Sequence, residues 1–253
     1  MNAPYAAFFD LDGTLAANNE PPFPTDVAAM RAFRSRGNFL FLCTGRSYGY
    51  LYQAIVDIGF DGIIAGAGAQ VLLGDTLLFR AGIDPEKLTR IQRAFENSPS
   101  TLIMETESTM VQLASPAANK VIRSYDRIYT ADEWRSTYSA EHTSKLTIYG
   151  DIPADILPFL REHCDIVQHP EYAEILPKGC SKATGIAHIL NAIGVPRERS
   201  IGFGDSMNDY DMLQYVGIGV AMGNAVDTVK AIAHRVTAPF DKGGVAQVLN
   251  EFI

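Results

Sequence analysis

The amino-acid sequence predicts an α/β protein, with a doubly wound parallel sheet and a smaller α/β domain inserted into it. Continuous apolar runs such as Phe39–Cys43, which suit strands covered on both faces, alternate with amphipathic helical segments. This alternation of apolar strands and amphipathic helices is interrupted between about residues 82 and 176 and resumes at residue 182. Strand–helix alternation on both sides of an interruption is typical of a single parallel sheet that carries an insertion.

The first part of the chain contains the first strands and helices of this sheet. Thr25 is a candidate N-cap and Gly37 a candidate C′ residue for the first helix, and Gly74-Asp75 favours a hairpin turn. The predicted strands cover residues 5–11, 39–43, 62–64, 69–73 and 76–80. The predicted helices cover residues 26–36 and 47–57.

The middle segment repeats a helix followed by a pair of strands. Its first helix opens at Asp84-Pro85-Glu86 and ends near residue 96, and its second covers 153–163. The predicted strands are 101–105, 109–113, 145–149, 165–169 and 172–176, and a polar helical connector covers 117–138. We therefore assign residues 82–177 to an inserted domain, and residues 1–81 and 178–253 to the core.

The last segment returns to strand–helix alternation. An amphipathic helix is predicted over 182–193, with Gly194 after it. Strands at 201–203 and 218–221 are followed by a helix near 225–233, and Asp241–Gly244 leads into a C-terminal helix. These elements complete the predicted doubly wound, Rossmann-like sheet.

Composition excludes several classes of function. The net charge of −8 argues against a general affinity for nucleic acid or anionic membranes. The three cysteines Cys43, Cys164 and Cys180 are widely spaced and form no C-x-x-C pair, so neither a disulfide framework nor a zinc site is expected. The N-terminus lacks the basic region of a signal peptide, and no apolar run approaches the roughly 18 residues of a membrane span. We expect a monomeric cytoplasmic enzyme.

Two aspartates lie at the end of the first predicted strand. Asp10 and Asp12 are two positions apart, so an extended chain projects both carboxylates to one side, and Gly13 allows a sharp turn after them. Carboxylates so placed repel each other unless a cation or a proton lies between them. The pair fits either an Mg²⁺ site in which one carboxylate reacts covalently, or an acidic surface turn.

Other polar residues occupy comparable positions. Thr44 and Asp205 each fall where an apolar strand ends, and Lys182 falls at a helix start. Because the carboxyl ends of parallel strands form one edge of an open sheet, we expect these residues to converge on the Asp10 loop. Each has a simpler interpretation: Thr44 could merely end a strand, Lys182 could be solvated, and Asp205 with Asp209 could form a turn and a helix cap.

The order and spacing of these clusters resemble the haloacid dehalogenase (HAD) superfamily, specifically its Cof-type phosphatase branch, over nearly the whole chain. The motifs are Asp10–Leu15, Thr44–Arg46, Lys178–Lys182, Gly204–Asp209, Ala221–Ala225 and Asp241–Ala246. The resemblance implies that residues 82–177 form an α/β cap that closes over the core, excludes bulk water and selects the leaving group.

The resemblance also implies a role for each motif residue. Asp10 would be the nucleophile that forms an aspartyl-phosphate, and Asp12 would be the general acid and base. Mg²⁺ would be bound by Asp10, the backbone carbonyl of Asp12 and Asp205, with Asp209 acting through water or by orienting Lys182. The phosphate oxygens would be bound by Thr44, Gly45, Lys182 and Asn208.

Two positions are less settled by the resemblance. Arg46 either reaches the substrate or forms a local salt bridge. Many Cof-type members carry Asn-Gly-Ala after the third strand, and Ala67-Gly68-Ala69 takes that place here, without an amide side chain.

The predicted function is Mg²⁺-dependent hydrolysis of a small phosphorylated metabolite, by family analogy a sugar phosphate. The core motifs do not separate this activity from that of a phosphohexomutase, since both reactions need the same aspartates. A third alternative is a non-catalytic protein that binds phosphorylated metabolites. The substrate depends on loops of the cap, of which those near 105–109 and 138–145 are the candidates.

Overall fold

The computed structural model describes residues 3–253, which divide into two compact units. The core unit comprises the described residues up to Arg46 together with Leu51–Arg80 and Ser181–Ile253, and the inserted unit comprises Ser47–Tyr50 and Ala81–Cys180. The sequence prediction assigned residues 47–50 to the core, whereas the structure places them in the inserted unit. The reason is a long-range contact, because Gly49 lies so close to the Glu107 backbone that a Cβ would overlap its carbonyl oxygen.

The described residues form 14 strands and nine α-helices. The strands are β1 Ala6–Phe9, β2 Phe39–Cys43, β3 Gly62–Ala65, β4 Gln70–Leu73, β5 Thr76–Arg80, β6 Thr101–Thr106, β7 Met110–Ala114, β8 Asp126–Ile128, β9 Thr143–Tyr149, β10 Cys164–Gln168, β11 Tyr172–Pro177, β12 Ser200–Gly204, β13 Ile218–Ala221 and β14 Arg235–Val236. The helices are α1 Pro24–Ser35, α2 Gln53–Val56, α3 Pro85–Phe95, α4 Ala131–Thr137, α5 Leu157–His163, α6 Lys182–Ile193, α7 Tyr210–Tyr215, α8 Asp227–Ile232 and α9 Gly244–Leu249.

The core unit is built on an eight-stranded sheet with the order β14-β13-β12-β1-β2-β3-β4-β5. The strands from β14 to β3 are parallel, and β4 and β5 extend the sheet as an antiparallel hairpin. Strand β1 is buried on both faces: Ala7 and Phe9 join one apolar cluster, and Ala6 and Phe8 join the other. The doubly wound parallel sheet predicted from the sequence is confirmed.

Helices cover both faces of the core sheet. Met30 and Phe33 of α1 pack with α9 in one cluster, and Ile186 and Ile189 of α6 pack with α7 and α8 in the other. Fully burying each such side chain contributes about 1.5–3 kcal/mol to folding. A site built at the ends of these strands thus lies on elements that are packed on both faces, which favours a fixed geometry.

The inserted unit contains a six-stranded sheet with the order β10-β11-β9-β6-β7-β8. Its pairings are antiparallel except that between β7 and β8. One sheet face packs against α3, α4 and α5 through an apolar cluster that includes Phe95, Trp134 and Leu160. The sheet also carries a buried ion cluster, in which Lys145 Nζ lies 2.6 Å from Glu174 Oε1 and 3.3 Å from Glu105 Oε1.

Three predicted helices differ from the observed ones. The first begins at Pro24 after Phe23, not after Thr25, because the ring of proline presets the first-turn φ. The predicted helix 47–57 is a 3₁₀ turn at Tyr48–Tyr50 and the short α2, separated by the extended residue Tyr52. The predicted helix 153–163 begins only at Leu157.

The polar connector 117–138 is not a single helix. It contains β8 and α4, and α4 begins where Thr130 Oγ1 accepts a hydrogen bond from the Glu133 amide. Before β8, the Gln112 side chain binds the backbone of Ile122 and Tyr125, which holds that segment in a non-helical course. Within the described residues, no helix is both long enough and apolar enough to cross a membrane.

Candidate active site

Three neighbouring strands of the core sheet end at polar side chains. Asp10 follows β1, Thr44 follows β2 and Asp205 follows β12, and these strands are adjacent in the order β12-β1-β2. The Asp10 amide donates to the Phe203 carbonyl at 2.9 Å, which carries the β1–β12 pairing up to the site. The predicted convergence of sequence-distant groups at the carboxyl edge is therefore observed within the core unit.

Lys182 is the central cation of this edge. Its side chain has no solvent exposure, and its Nζ lies 2.6 Å from both Asp10 Oδ1 and Asp209 Oδ1. Burial alone lowers the pKa of a lysine, but the attraction of the two carboxylates outweighs it and raises the pKa of Lys182 well above its usual value. The alternative of a solvated lysine in the first turn of α6 is excluded by this geometry.

Asp209 holds the loop after β12 in place. Its Oδ2 accepts hydrogen bonds from the backbone amides of Asp205 and Ser206 at 2.9 and 3.0 Å, while its Oδ1 binds Lys182. Both carboxylate oxygens are therefore engaged by protein donors. Asp209 accordingly orients Lys182 and the Asp205 loop, which is one of the two roles considered for it.

Asp10, Asp205 and Asp209 form an acidic cluster whose carboxylate oxygens lie within 4.8 Å of one another. Burial, followed by repulsion from Asp209, raises the pKa of Asp10 well above its usual value and that of Asp205 to about 7. Crowded, partly dry carboxylates fit a hard divalent cation such as Mg²⁺, which prefers oxygen ligands. Both oxygens of Asp209 already accept protein donors, so Asp10 and Asp205 are the better candidates for direct ligands. The predicted contact of Asp209 with the ion through water stays a prediction.

Asp12 lies outside this acidic cluster. Its carboxylate accepts from Arg46 Nε at 2.7 Å and from Arg46 Nη2 at 2.6 Å, a bidentate pair. Arg46 Nη1 also donates to Asn19 Oδ1 at 2.6 Å. Of the two alternatives for Arg46, the structure shows the local salt bridge. The predicted metal contact through the Asp12 backbone carbonyl stays a prediction.

Three of the four predicted phosphate-binding residues, Thr44, Gly45 and Asn208, lie in two tight turns, and the fourth, Lys182, begins α6. Thr44 is 1% exposed, and its Oγ1 accepts a hydrogen bond from the Arg46 amide at 3.0 Å, which closes the turn that contains Gly45. Asn208 Oδ1 accepts from Ser206 Oγ at 2.9 Å. Thr44 retains its hydroxyl proton for an acceptor, so hydroxyl, amide and ammonium donors are available on this edge.

Three site residues were given no role by the sequence. Thr14 Oγ1 donates to Asp205 Oδ1 at 3.2 Å, and the Ser206 amide donates to Asp209. Asn224 Nδ2 donates to the Gly13 carbonyl at 2.8 Å and its Oδ1 accepts from the Phe240 amide. Asn224 lies in the motif Ala221–Ala225, so the sequence identified this segment as part of the family pattern. It did not predict that the Asn224 side chain supports the Asp10 loop.

Two glycines permit the close approaches that the site needs. Gly13 has a φ of +86°, and a Cβ there would overlap the carboxylate of Asp205. Gly68 has a φ of +99°, and a Cβ there would overlap the carbonyl oxygen of Ser181, the N-cap of α6. The loop after β3 thus packs directly under the residue that precedes Lys182. Ala67 of this loop is itself left-handed, with a φ of 53°.

A buried lysine between carboxylates, with polar donors beside it on the carboxyl edge of a doubly wound sheet, is suited to binding a phosphoryl group. The fold and the site thus define an enzyme that acts on phosphoryl groups. The model of the haloacid dehalogenase-like hydrolase family matches residues 7–249, and the chain belongs to this family. The resemblance to the Cof-type phosphatase branch is confirmed.

Curated relatives and solved structures agree with this class. The chain is 29% identical over 266 residues to 5-amino-6-(5-phospho-D-ribitylamino)uracil phosphatase YitU of Bacillus subtilis (strain 168), covering 98% of this chain and 97% of that one. It is 26% identical over 235 residues to the HMP-PP phosphatase of Citrobacter koseri, covering 87% and 84% of the two chains. The structure of the HAD subclass IIB sugar phosphatase BT4131 is similar with a TM-score of 0.84 and 26% identity, covering 98% of each chain. The protein is a phosphatase.

Proposed function

We propose that this phosphatase hydrolyses a small phosphorylated metabolite, specifically a sugar phosphate, through an aspartyl-phosphate on Asp10 and with Mg²⁺ as cofactor. The observation that carries the proposal is the position of Lys182, which is fully buried and 2.6 Å from both Asp10 and Asp209. A cation held there neutralises charge on the nucleophile and on an incoming phosphoryl group.

Asp10 is the proposed nucleophile because one of its oxygens is held by Lys182 and its backbone continues β1. Lys182 takes Oδ1, so the second oxygen is the one that would attack phosphorus. A bond forms between this oxygen and phosphorus while the bond from phosphorus to the leaving oxygen breaks. Water then attacks the aspartyl-phosphate at phosphorus, which releases phosphate and restores the carboxylate.

Asp12 is the proposed proton donor to the leaving oxygen and proton acceptor from the attacking water. Such general acid–base help is worth about 10²–10⁴-fold in rate. Its carboxylate is held by Arg46 in the observed conformation and is half-exposed, with a side-chain exposure of 49%. We propose that Asp12 leaves Arg46 and contacts the substrate during the reaction. Between turnovers, the salt bridge to Arg46 holds the Asp12 carboxylate beside the site.

Asp10 and Asp205 are the proposed ligands of Mg²⁺, together with the backbone carbonyl of Asp12. Two observations support this assignment. Asp10 and Asp205 belong to the acidic cluster, and among the described residues no cationic side chain other than Lys182 forms an ion pair with either of them. When bound, Mg²⁺ neutralises phosphate charge and orients the phosphoryl group. Thr44, Gly45, Lys182 and Asn208 are the proposed donors to the phosphate oxygens.

The sugar-phosphate class is supported by the relatives. BT4131 is described as a sugar phosphatase, and the substrate in the name of YitU carries a phosphorylated ribityl group. A sugar phosphate and a phosphorylated ribityl group each carry a phosphate on a polyhydroxylated carbon chain, which is the chemistry that we propose for the substrate of this protein. The cytoplasmic location and the monomeric state expected from the sequence stay predictions, and light scattering on the purified protein tests the second.

The test is phosphate release from a panel of sugar phosphates and p-nitrophenyl phosphate, with Mg²⁺ or with EDTA. Wild type is compared with Asp10→Asn and with the matched control Asp211→Asn, an exposed aspartate at the start of α7. We expect Mg²⁺-dependent release that Asp10→Asn abolishes and Asp211→Asn retains. Formation of an isomerised phosphosugar with little free phosphate would show that the enzyme is a mutase and not a hydrolase. Turnover by Asp10→Asn at the wild-type rate would refute the proposed mechanism.

A further inference from the structure

The inserted unit contains a cavity of about 250 Å³ between α3, α4 and the start of β9. Its apolar walls are formed by Ile83, Leu88 and Trp134, each of which is at least nine-tenths buried. This volume is near the lower end of small-molecule sites, so it suits a compact ligand. Trp134 is the single tryptophan of the chain, so all tryptophan fluorescence comes from a side chain that lines this cavity.

One polar atom in the cavity has no partner. Thr143 lines the cavity and is 2% exposed, and its hydroxyl makes no hydrogen bond among the described residues. A buried hydroxyl left unpaired costs about 1–3 kcal/mol, so proteins seldom keep one without a reason. A ligand atom in the cavity would supply the missing partner.

A basic groove adjoins the cavity. It has a volume of about 370 Å³ and is lined by Arg90 and Arg93 of α3 and by Arg135 of α4. Arg135, Glu86 and Thr89 line both the groove and the cavity, which makes the two continuous. None of the three guanidinium groups forms a salt bridge in the described part of the chain, and Arg90 stacks on the Phe159 ring at 4.1 Å.

Two carboxylates also line the cavity or the groove. Glu141 lines the cavity, but its Oε2 is engaged by Ser108 Oγ at 2.6 Å. Glu86 lines both the cavity and the groove. The three arginines outnumber these two carboxylates, so the groove is locally positive although the whole chain carries a net charge of −8. A local excess of positive charge beside an apolar cavity attracts an anion that has an apolar body.

We propose that this cavity and groove bind a small organic anion, whose apolar body fills the space beside Trp134 and whose oxyanion lies among Arg90, Arg93 and Arg135. A polar atom of the ligand binds the Thr143 hydroxyl. All the lining residues belong to the inserted unit and none belongs to the acidic cluster. The site is therefore independent of the proposed reaction, and its test does not depend on phosphatase activity.

The test titrates the full chain with benzoate and hexanoate and follows Trp134 fluorescence. Benzamide and hexanamide, which have the same shapes without the charge, are the matched ligands. Arg93→Gln/Arg135→Gln removes two positive charges, and Thr143→Val removes the hydroxyl at nearly constant shape. Arg197→Gln/Arg235→Gln is the matched control, because these exposed arginines lie in the core unit.

We expect saturable binding of at least one carboxylate, with its amide about tenfold weaker or not bound. The double arginine variant should weaken binding about threefold to tenfold, since exposed ion pairs are worth little individually. Thr143→Val should weaken binding about fivefold without lowering the thermal unfolding midpoint, because it removes an unpaired hydroxyl. No saturable response to either carboxylate, equal affinity for the amides, or unchanged affinity in the double arginine variant would overturn the proposal.

Discussion

Buried charged residues of the core unit differ in how their neighbours compensate them. Lys182 meets two carboxylates at 2.6 Å, whereas Asp26 has a single backbone donor, the Ala246 amide at 2.7 Å. The second oxygen of Asp26 is buried without a partner among the described residues. The Lys182 ion pairs lie in the candidate active site. The Asp26 hydrogen bond links α1 to α9, and its contribution to stability depends on pH.

Replacing Lys182 with methionine should abolish most of the activity while nearly preserving side-chain volume. Loss of a preorganised charge at a phosphoryl-binding site lowers kcat by roughly 10²–10³-fold. Removing one partner of a buried ion pair also lowers the free energy of unfolding by about 3–5 kcal/mol. Lys230→Met, which removes a lysine without a salt bridge in the described residues, is the matched control for both kinetics and urea unfolding. A Lys182→Met enzyme with wild-type kcat would contradict this role.

Asp26→Asn should remove a component of the pH dependence of stability. Burial raises the pKa of Asp26 to about 6 in the folded protein, and its backbone hydrogen bond only partly opposes this shift. Between about pH 4 and pH 6 the unfolded chain loses this proton while the folded chain keeps it, so stability falls as the pH rises through that window. The fall should be of the order of 2–3 kcal/mol.

Urea unfolding of wild type and Asp26→Asn at several values between pH 4 and pH 8 checks this slope. Asp75→Asn, in the exposed hairpin turn before β5, should retain it. Identical slopes in wild type and Asp26→Asn would show that Asp26 is not the responsible group.

The elements of the core unit place the site through backbone approaches that side chains could not make. The loop after β3 supports the N-terminus of α6 where Gly68 meets the Ser181 carbonyl. Ser181 caps α6 through a reciprocal capping box with Thr184. Lys182 is the first residue of that helix, so its position is determined by this contact.

Gly68→Ala should therefore reduce both stability and activity. The substitution forces a residue with a Cβ into a left-handed conformation and pushes it into the Ser181 carbonyl, which together should cost at least about 2 kcal/mol. Gly74→Ala is the matched control, because Gly74 is also left-handed, with a φ of +54°, but has open space around its Cβ position. It should lose about 1 kcal/mol and keep its kcat. Equal losses of activity in both variants would contradict a specific role for the Gly68 contact.

The sequence predicted the elements that depend on local pattern and missed those that depend on distant contacts. The strand ends at Asp10, Thr44 and Asp205 follow from apolar runs and the geometry of a parallel sheet. The predicted helix 47–57 fails because residues 47–50 belong to the inserted unit and contact Glu107 and Ser144, which no local pattern records. The support of Gly13 by Asn224 spans 211 positions in the chain and was likewise invisible.

The whole molecule consists of two compact units with separate apolar clusters. The cluster of the inserted unit includes Phe95, Leu102, Trp134, Leu146 and Leu160, and all of its members lie in the inserted unit. A domain with its own core can fold alone. The chain passes between the units on both sides of residues 47–50 and again near residues 81 and 180. The last two places are the natural limits for an isolated fragment.

A fragment spanning residues 81–180 should fold cooperatively in isolation. It retains the six-stranded sheet and all the helices that pack against it, and loses only residues 47–50, including the Ser47–Ser144 contact. Thermal unfolding followed by circular dichroism and Trp134 fluorescence should give coincident transitions. The same fragment with Leu146→Asp, which places a charge in this core, should be unfolded. A wild-type fragment without a cooperative transition would show that the inserted unit depends on the core.

The most direct measurement of the proposed chemistry is the capture of the covalent intermediate. Wild type mixed with its best panel substrate and Mg²⁺ is quenched in acid within the first turnover, digested, and analysed by mass spectrometry. We predict that the peptide containing Asp10 carries one phosphoryl group and that the corresponding Asp10→Asn peptide carries none. Phosphate release by wild type with no phosphorylated Asp10 peptide at any quench time, together with turnover by Asp10→Asn, would contradict nucleophilic catalysis by Asp10.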